Sequence, residues 1–284
     1  MSRRGFALLA VLWTLTAVTA FAAAVLAVAR LGSATTRNRI LLARAEWARE
    51  ACVEILQARY AQDPSVRGLD SLDLGRRTWC GATVEDPSTK LNINVADRAA
   101  LVTVLQAVLR RSVAVDSLVD ALLDWRDPDR VPRPLGAESA ANRNGPFADV
   151  WELRYVGGFT DARVAALAPF LTTRGTGAIN VNAAPREVLG TLPGMTDETV
   201  QRLVIQRGST PLPSADALAR LLSPAARALL LASYPEFVRA AVFAAPQLVV
   251  YVAGGVRGTP IVARVTLTTV PVSGRLAVIR RETE

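Results

Sequence analysis

Five acidic residues near the middle of the chain form its densest polar cluster. Asp120 and Asp124 are one helical turn apart, Asp127 and Asp129 follow in a loop, and Glu138 lies a little further on. Carboxylates this close repel one another unless a cation lies among them. Calcium, which takes about six to eight oxygen ligands in flexible geometry, is one such cation. The other candidates are the arginines Arg126, Arg130 and Arg133. No EF-hand pattern is present, so the spacing alone leaves both interpretations open.

The composition excludes most catalytic chemistry. The chain has no histidine, which removes Ser-His-Asp catalysis, Cys-His catalysis and imidazole acid–base chemistry. Its single lysine, Lys90, lies in a segment typical of a strand. Paired carboxylates could serve a glycosidase, but aromatic residues, which usually form sugar platforms, are only 6% of the chain. The sequence therefore predicts a protein that is not an enzyme.

Charge and cysteine content limit the kinds of binding site that the chain could have. The formal charge of +8 comes from arginines that are spread along the chain without a block, so nucleic acid is only weakly indicated. Two cysteines are too few for a zinc cluster. Cys52 and Cys80 could form one disulfide in an exported domain, or they could remain two buried thiols.

The first thirty residues predict a membrane helix. No charged residue lies between Phe6 and Ala29, and as a helix this run would extend about 36 Å, enough for a hydrocarbon core of ~30 Å. A cleaved secretory signal usually has a shorter apolar region, although residues 27–29 could form its cleavage site. A plain signal anchor, with Arg3 and Arg4 on the cytoplasmic side, fits the sequence well.

The helix is expected to continue past the membrane. Apolar residues recur at steps of three and four, which indicates an amphipathic second half. They are Leu41, Leu42, Ala45, Ala48, Cys52, Ile55 and Leu56. Pro64 should end the helix near Gln62, because the residue before a proline is disfavoured in helical geometry. The predicted helix therefore covers residues 6–62, with residues 6–29 in the membrane.

Alternating and β-branched segments at both ends of the remaining chain predict one sheet. Residues 77–85 and 90–94 are expected to pair as a hairpin, and residues 247–253, 261–270 and 275–281 as a three-stranded meander. The expected sheet segments are therefore 63–94 and 242–284, with a helical insert over residues 95–241. The predicted fold class is α+β, with a long N-terminal transmembrane and amphipathic helix packed on a small antiparallel sheet.

The insert contains a repeat. The Leu-Asn-Ile-Asn-Val-Ala segment at 91–96 returns as Ile-Asn-Val-Asn-Ala-Ala at 179–184, and each copy precedes a helix with leucines. A second similarity relates residues 151–160 to residues 188–196. Its apolar-Gly-apolar pattern before a helix is similar to the helix-hairpin-helix of DNA-binding proteins.

In such hairpins a second glycine exposes a backbone N–H to a phosphate. Here Thr160 and Thr196 take that position, and each is followed by an aspartate, Asp161 or Asp197. Threonine caps a helix well, whereas the aspartate repels a phosphate. The hairpins are therefore predicted to be structural. The alternative is a membrane-anchored helix-hairpin-helix module that binds DNA during uptake.

The N-terminus resembles that of type IV pilin-like precursors. In that family a short basic leader ending in glycine is cut after the glycine, and the next residue is N-methylated. The segment Arg-Arg-Gly-Phe-Ala-Leu-Leu at 3–9 matches this leader, which implies a leader of residues 1–5 and processing between Gly5 and Phe6. Most pilin-like proteins carry Glu at the fifth mature position, but this chain has Ala10.

The missing Glu, the Asn-x-Asn repeats and the helical insert together resemble the K-type minor pseudopilins of type II secretion systems. In that family an Asp-x-x-Asp-x-Asp motif followed by Gly-Ala-Glu binds calcium. The resemblance implies calcium ligands at Asp124, Asp127, Asp129 and Glu138. The chain departs from the family at Ser139, where an acid is usual.

The resemblance also implies a role in assembly. The chain would sit at the pseudopilus tip, prime filament assembly and support export of folded proteins across the outer membrane. Expected partners are minor pseudopilins of the I, J and H types, the prepilin peptidase, the inner-membrane secretion platform and membrane lipid, with no specific nucleic acid. The expected location is a single-pass position in the bacterial inner membrane, with most of the chain in the periplasm.

Overall fold

The structure, a computed structural model, describes residues 3–109, 114–136 and 142–283, with side chains from Val11 onward. Its helices are α1 (Arg3–Gln62), α2 (Arg98–Leu109), α3 (Val115–Arg126), α4 (Asp161–Leu167), α5 (Arg186–Leu189), α6 (Asp197–Arg207), α7 (Ala215–Leu221), α8 (Pro224–Ala232) and α9 (Tyr234–Ala240). Its strands are β1 (Gly68–Gly75), β2 (Thr78–Glu85), β3 (Leu91–Asn92), β4 (Leu171–Thr172), β5 (Ile179–Asn180), β6 (Ala241–Val242), β7 (Leu248–Val256), β8 (Val262–Val272) and β9 (Arg275–Thr283). Short 3-10 helices cover Pro87–Thr89 and Val150–Tyr155.

The chain divides into two compact units. The first, called here the anchor unit, comprises Met1–Thr83, Tyr251–Leu267 and Arg281–Glu284. The second, called the insert unit, comprises Val84–Val250 and Thr268–Arg280. The strands of the main sheet run in the order β1-β2-β7-β8-β9, so the predicted C-terminal meander is confirmed. The fold is α+β, as expected from the sequence.

Helix α1 is continuous and ends where the sequence predicted. The amide of Asp63 donates to the carbonyl of Arg59 at 2.8 Å, and Pro64 follows. The side chains of residues 11–40 are all exposed. Among the described helices, α1 is the one that is long and apolar enough to cross a membrane.

One face of α1 packs in the anchor unit. Its buried side chains recur at steps of three and four, and they include Ala45, Ala48, Cys52 and Leu56. Gly254 of β7 makes the closest approach, because a Cβ atom there would lie 2.6 Å from the carbonyl oxygen of Ala45 and 2.3 Å from the amide of Arg49. Only glycine lets the strand backbone come this close to the helix backbone.

Two features of this region differ from expectation. Leu42, predicted on the packed face, is 47% exposed. The predicted hairpin between residues 77–85 and 90–94 is wrong, because β2 pairs with β1 in antiparallel fashion and β3 pairs with β4 in parallel. The cause is local, since Asp86 accepts a hydrogen bond from the amide of Ser88 at 2.9 Å and starts a 3-10 turn that leads the chain out of the sheet.

The insert unit is built from two structural repeats. Each begins with a two-residue strand that pairs in parallel with a later strand, β3 with β4 and β5 with β6. The second asparagine of each Asn-x-Asn segment makes the same pair of backbone contacts. Asn94 exchanges two hydrogen bonds with the backbone of Phe147, at 2.9 and 2.8 Å. Asn182 does the same with the backbone of Leu212, at 2.8 and 2.8 Å.

A half-buried arginine completes each repeat. Arg126, at the end of α3, donates to the carbonyl oxygens of Ile93 and Ala96, the latter at 2.7 Å. Arg207, at the end of α6, donates to the equivalent carbonyls of residues 181 and 184, at 3.2 and 2.7 Å. Burial lowers the pKa of both guanidinium groups. Helix α3 of the first repeat therefore corresponds to α6 of the second. Residues 151–160 follow α3 whereas residues 188–196 precede α6, so the predicted similarity relates hairpins at different positions of the two repeats.

Candidate functional site

The acidic cluster begins on the buried side of α3. Asp124 is fully buried, and Asp120 is 3% exposed and accepts a hydrogen bond from Nε of Arg98 at 2.8 Å. The chain returns over Asp124 at Gly136, where a Cβ atom would lie 2.0 Å from the Asp124 carboxylate. The glycine of the Gly-Ala-Glu segment is therefore required by this close approach.

Arg133 provides positive charge beside two of the predicted ligands. Its amide donates to Asp124 at 3.2 Å, and its Nε lies 3.5 Å from the same carboxylate. Its Nη2 donates to Oδ2 of Asp127 at 3.2 Å. Burial raises the pKa of Asp124, while the hydrogen bond from the Arg133 amide opposes that shift. Sequence reasoning weighed Arg133 only as one of several neutralising arginines, and no spacing rule singles it out.

Two buried oxygens at this loop lack a hydrogen-bond donor among the described residues. They are Oδ1 of Asp127 and Oδ1 of Asn144. Asn144 is held against the loop by its amide, which donates to the backbone oxygen of Asp129 at 2.7 Å. Oxygen acceptors without donors match the ligand chemistry of calcium. The residues present therefore fit a calcium ion, with Asn144 as a contributor that the sequence did not suggest.

Asp129 and Glu138 are the two remaining predicted ligands. The side chain of Asp129 is exposed and accepts from the amide of Val131 at 2.8 Å. Glu138 lies outside the described residues. Within the described ranges no three acidic side chains are grouped closely enough to hold a metal ion by themselves. Arg126, one of the alternative cations, is directed to backbone carbonyls of the first repeat instead.

The two glycine hairpins, around Gly158 and Gly194, make contacts within the fold. Gly158 and Gly194 have φ values of +84° and +72°, which glycine adopts without strain. A Cβ atom at Gly194 would lie 2.9 Å from the carbonyl oxygen of Leu229. Thr160 and Thr196 cap the following helices, each accepting from the amide three residues on, at 3.3 and 3.2 Å. These contacts agree with the structural role predicted for the hairpins.

The remaining predicted site residues lie in the anchor unit. Cys52 and Cys80 are both fully buried and free, and burial together with the neighbouring Cys80 raises the pKa of the Cys52 thiol. Gly5 and Phe6 fall within α1, in the part of the helix before Val11 where the structure describes the backbone only. Processing at this bond therefore stays a prediction.

An exposed apolar groove on the anchor unit was missed by the sequence. Trp47 is 80% exposed, Ile40 51% and Leu74 38%. These side chains line one groove of about 630 Å³, together with small residues of α1 such as Ala43 and Ala51. The signal that could have found it is Trp47 itself, an aromatic residue off the packed face of an amphipathic helix. Contiguous exposed apolar surface is typical of a protein–protein contact.

Two family models match the chain, and both carry the description type II secretion system (T2SS), protein K. One matches residues 85–176 and the other residues 179–233, together more than half of the 284 residues. No curated protein matches the chain.

A solved structure has the same fold. A chain in the crystal structure of the GspK-GspI-GspJ complex from the type 2 secretion system of enterotoxigenic Escherichia coli superposes with a TM-score of 0.64 at 15% identity. The match covers 89% of this chain and 99% of that one. With both family models and the apolar helix α1 in place, the chain belongs to the type II secretion system protein K family, as a single-pass, membrane-anchored minor pseudopilin.

Proposed function

We propose that the chain occupies the tip of the type II secretion pseudopilus, primes its assembly and supports export of folded proteins across the outer membrane. One observation carries this proposal. Beyond the apolar run of residues 6–29 and a largely polar stretch at 30–39, α1 exposes a second apolar surface in the groove around Trp47, which no other part of the described chain covers. Such a surface suits packing against the helices of neighbouring subunits, with residues 6–29 in the inner membrane and the bulk of the chain in the periplasm.

The proposed maturation is cleavage between Gly5 and Phe6 by the prepilin peptidase, followed by N-methylation of Phe6. Mass spectrometry of the mature N-terminus tests this directly, since an uncut Met1 or a start near Arg30 contradicts it. Ala10 then occupies the fifth mature position. A lone carboxylate in the bilayer is costly, so a subunit with no amine ahead of it needs no Glu there. Ala10→Glu should therefore leave assembly unchanged or weaken it, whereas a gain would place the subunit inside the filament.

The proposed partners are minor pseudopilins of the I, J and H types and the inner-membrane secretion platform. The similar solved chain is part of a complex with GspI and GspJ. We expect the groove around Trp47 to dock an I- or J-type helix, because Trp is enriched among the residues that dominate binding. Trp47→Ala should cost about 2 kcal/mol or more in binding to the I–J pair.

The matched control is Trp151→Ala, which removes a tryptophan that is 43% exposed on the insert unit. Capture of I- and J-type partners by the full-length protein should fall for Trp47→Ala only. The same two variants, expressed in a strain lacking its own K-type subunit, test secretion of a folded substrate. Unchanged capture with Trp47→Ala would contradict this docking surface, and full secretion despite lost capture would show that export does not depend on it.

Calcium is proposed as a structural ion held by Asp124, Asp127 and Glu138, with Asn144 contributing. Asp129, also expected as a ligand, would join them on releasing the amide of Val131. When bound, it would supply the positive charge that this group of oxygens lacks. The orphaned oxygens of Asp127 and Asn144 support this assignment. The ion would hold the loop that covers Asp124 in place, and no catalytic step is assigned to it.

A disulfide between Cys52 and Cys80 is proposed for the exported protein. The two buried thiols are neighbours, Cys52 on α1 and Cys80 on β2, and the periplasm is oxidising. Closing a loop of this length should contribute roughly 3–4 kcal/mol. Intact mass under non-reducing conditions, before and after reduction and alkylation, distinguishes a bonded pair from two thiols. Two alkylated cysteines in the denatured, unreduced protein would exclude the bond.

A further inference from the structure

The groove around Trp47 continues into a basic surface along α1. A second groove, of about 620 Å³, shares Ile40, Arg44 and Arg76 with the first, so the two form one continuous surface. The α1 residues that line it lie within 32–51, which is about 29 Å of helix axis. A long surface that follows a helix suits a second helix laid along it. We call the second groove the arginine groove and the two grooves together the α1 face.

The arginine groove carries positive charge that no described acid balances. Five exposed arginines line it: Arg37 and Arg44 from α1, Arg76 and Arg77 from the β1–β2 turn, and Arg257 from the β7–β8 turn. None of the described lining residues is acidic. No ion pair joins any of the five to a described residue, although other arginines of the chain form several. Neighbouring cations repel unless an anion lies among them, so this surface suits an acidic partner.

The two turns hold these like charges together at a cost in backbone strain. Gly75 pairs with Thr78, so Arg76 and Arg77 are the central residues of a two-residue hairpin turn, with φ values of +51° and +66°. Such turns strongly favour Asn-Gly, because both central residues need positive φ. The amide of Arg257 donates to the carbonyl oxygen of Arg77 at 2.7 Å and ties the second turn to the first. Backbone strain of this kind clusters at functional sites.

The position and the apolar neighbours of the arginines favour protein carboxylates over lipid phosphates. Arg37 and Arg44 lie about 12 Å and about 22 Å beyond Ala29 along the helix axis, outside a headgroup layer of ~5–8 Å. Ile40 and Trp47, 51% and 80% exposed, place an apolar strip beside the arginines. An amphipathic helix with acidic residues beside its apolar stripe matches both parts. Planar guanidinium groups also bind carboxylates through two parallel hydrogen bonds.

We propose that the α1 face docks an amphipathic helix of a neighbouring minor pseudopilin, whose apolar stripe covers Trp47 and Ile40 and whose acidic side chains pair with the arginine groove. This inference rests on the docking of an I- or J-type helix proposed above, and it adds the chemistry of that helix. The two parts of the face have different tasks. Apolar contacts around Trp47 hold the bound helix, whereas the arginines steer its approach and select an acidic partner.

Association kinetics separate these two tasks. The full-length protein in detergent is immobilised, and binding of a co-expressed I–J pair is followed at several salt concentrations. Arg37→Gln/Arg257→Gln neutralises two arginines that do not line the groove around Trp47, and it should slow association about tenfold at low salt and weaken the salt dependence. Trp47→Ala should mainly speed dissociation and leave the salt dependence unchanged. The control Arg59→Gln/Arg264→Gln removes two exposed arginines outside both grooves and should change neither rate.

A cross-link identifies the partner's acids. The chain has a single lysine, Lys90, which lies in the insert unit and pairs with Glu85, so Arg37→Lys adds one reporter amine to the arginine groove and keeps the charge. A carbodiimide joins that amine to a contacting carboxylate as an amide and takes up the lost oxygen to become a urea. Peptide mass spectrometry should find the new amine joined to an Asp or Glu of the I- or J-type subunit. The control Arg59→Lys should give no such cross-link.

Several outcomes overturn the inference. Unchanged association and salt dependence in Arg37→Gln/Arg257→Gln would mean that the arginines take no part in docking. A wild-type preference for phosphatidylglycerol over phosphatidylcholine micelles, lost in this variant while partner binding is kept, would assign the arginines to lipid. Duplex DNA binding that is lost in the same way would assign them to nucleic acid. If Trp47→Ala alone weakens binding, the docking stands and the acidic partner fails, whereas a wild type that binds no I–J pair removes both.

Discussion

The two repeats of the insert unit share one frame and differ in one loop. In both, an arginine at the end of a helix donates to two backbone carbonyls, and an asparagine exchanges two hydrogen bonds with a backbone further on. In the second repeat only residues 208–211 connect the arginine to that backbone. In the first, residues 127–146 make the same connection, and they contain three of the five acidic residues of the cluster. The acidic loop is therefore an insertion into a frame that is complete without it.

The insertion changes how the end of the helix is covered. Asp124 is fully buried beneath the returning loop, whereas Ile205, at the equivalent position of α6, is 70% exposed. Connections longer than about 12–15 residues without secondary structure are uncommon and are usually functional. We call the arginine at the helix end, together with the two backbone carbonyls to which it donates, the clasp. The comparison teaches that the clasp stabilises the domain, while the acidic loop is an addition that requires stabilising interactions of its own.

The largest expected effect comes from breaking the shared clasp. Arg126→Ala and Arg207→Ala each leave two buried carbonyl oxygens without a donor. Hydrogen bonds to charged groups contribute about 1.5–3 kcal/mol, so each variant should lose roughly 3 kcal/mol of unfolding free energy. Urea unfolding of the soluble part, with and without calcium, measures this. The loss should be similar in the two repeats and independent of calcium.

The control for the clasp is Arg202→Ala. Arg202 lies on the exposed face of α6 and pairs with Glu198 at 2.9 Å, an interaction worth less than about 1 kcal/mol. A loss at Arg126 but not at Arg207 would show that the two frames are not equivalent. The idea of a repeated clasp would then fail.

Periodic and local signals allowed much of the fold to be predicted. The apolar run, the proline after Gln62 and the β-branched C-terminal segments each determine structure within a few residues. The Asn-x-Asn repeat was visible for the same reason, since Asn94 and Asn182 occur in nearly identical contexts. The β1–β2 hairpin was missed because Gly-Leu-Asp-Ser-Leu-Asp-Leu-Gly has little strand propensity and forms a strand through its pairing with β2.

Only part of the candidate site could be predicted from the sequence. Spacing indicated that a cation lies among the neighbouring acids, and the family resemblance named Asp124 and Asp127 as ligands. The contributions of Arg133 and Asn144 depend on how residues 127–136 and 142–146 are placed against α3, which no local pattern reports. The exposed Asp129 shows the converse, since a residue in a motif can still have its side chain directed to its own backbone.

The second largest effect should come from removing calcium. Metal bound only by the folded form at a hundredfold above its Kd stabilises by about 2.7 kcal/mol. For a domain of this size a chelator should lower the melting temperature by about 5–10 °C. Calcium should restore it, whereas magnesium, with its stricter octahedral demand, should not. Asp127→Ala/Asp129→Ala should abolish the response, while Asp161→Ala, an exposed acid on α4, should keep it.

A loop exchange tests the comparison itself. Replacing residues 127–146 with the Gly-Ser-Thr-Pro connection of the second repeat should leave a folded domain, because the frame does not require the insertion. Asp124 should then be exposed like Ile205 and carry no burial penalty. The variant should show no melting response to chelator or calcium. Failure of the variant to fold, with the clasp residues intact, would mean that the loop is part of the frame.

The smallest effect is expected at Arg133, and it distinguishes the two explanations of the acidic cluster. Without calcium, Arg133 is the cation that contacts both Asp124 and Asp127, so Arg133→Gln should cost about 1 kcal/mol in chelator, given that its side chain is 40% exposed. With saturating calcium the cost should vanish, because the ion replaces the lost charge, and the calcium-dependent rise in melting temperature should grow. The control Arg143→Gln breaks a comparably exposed ion pair to Glu152 and should show no calcium dependence. An equal loss in chelator and in calcium would mean that Arg133 alone balances these carboxylates and that no metal binds there.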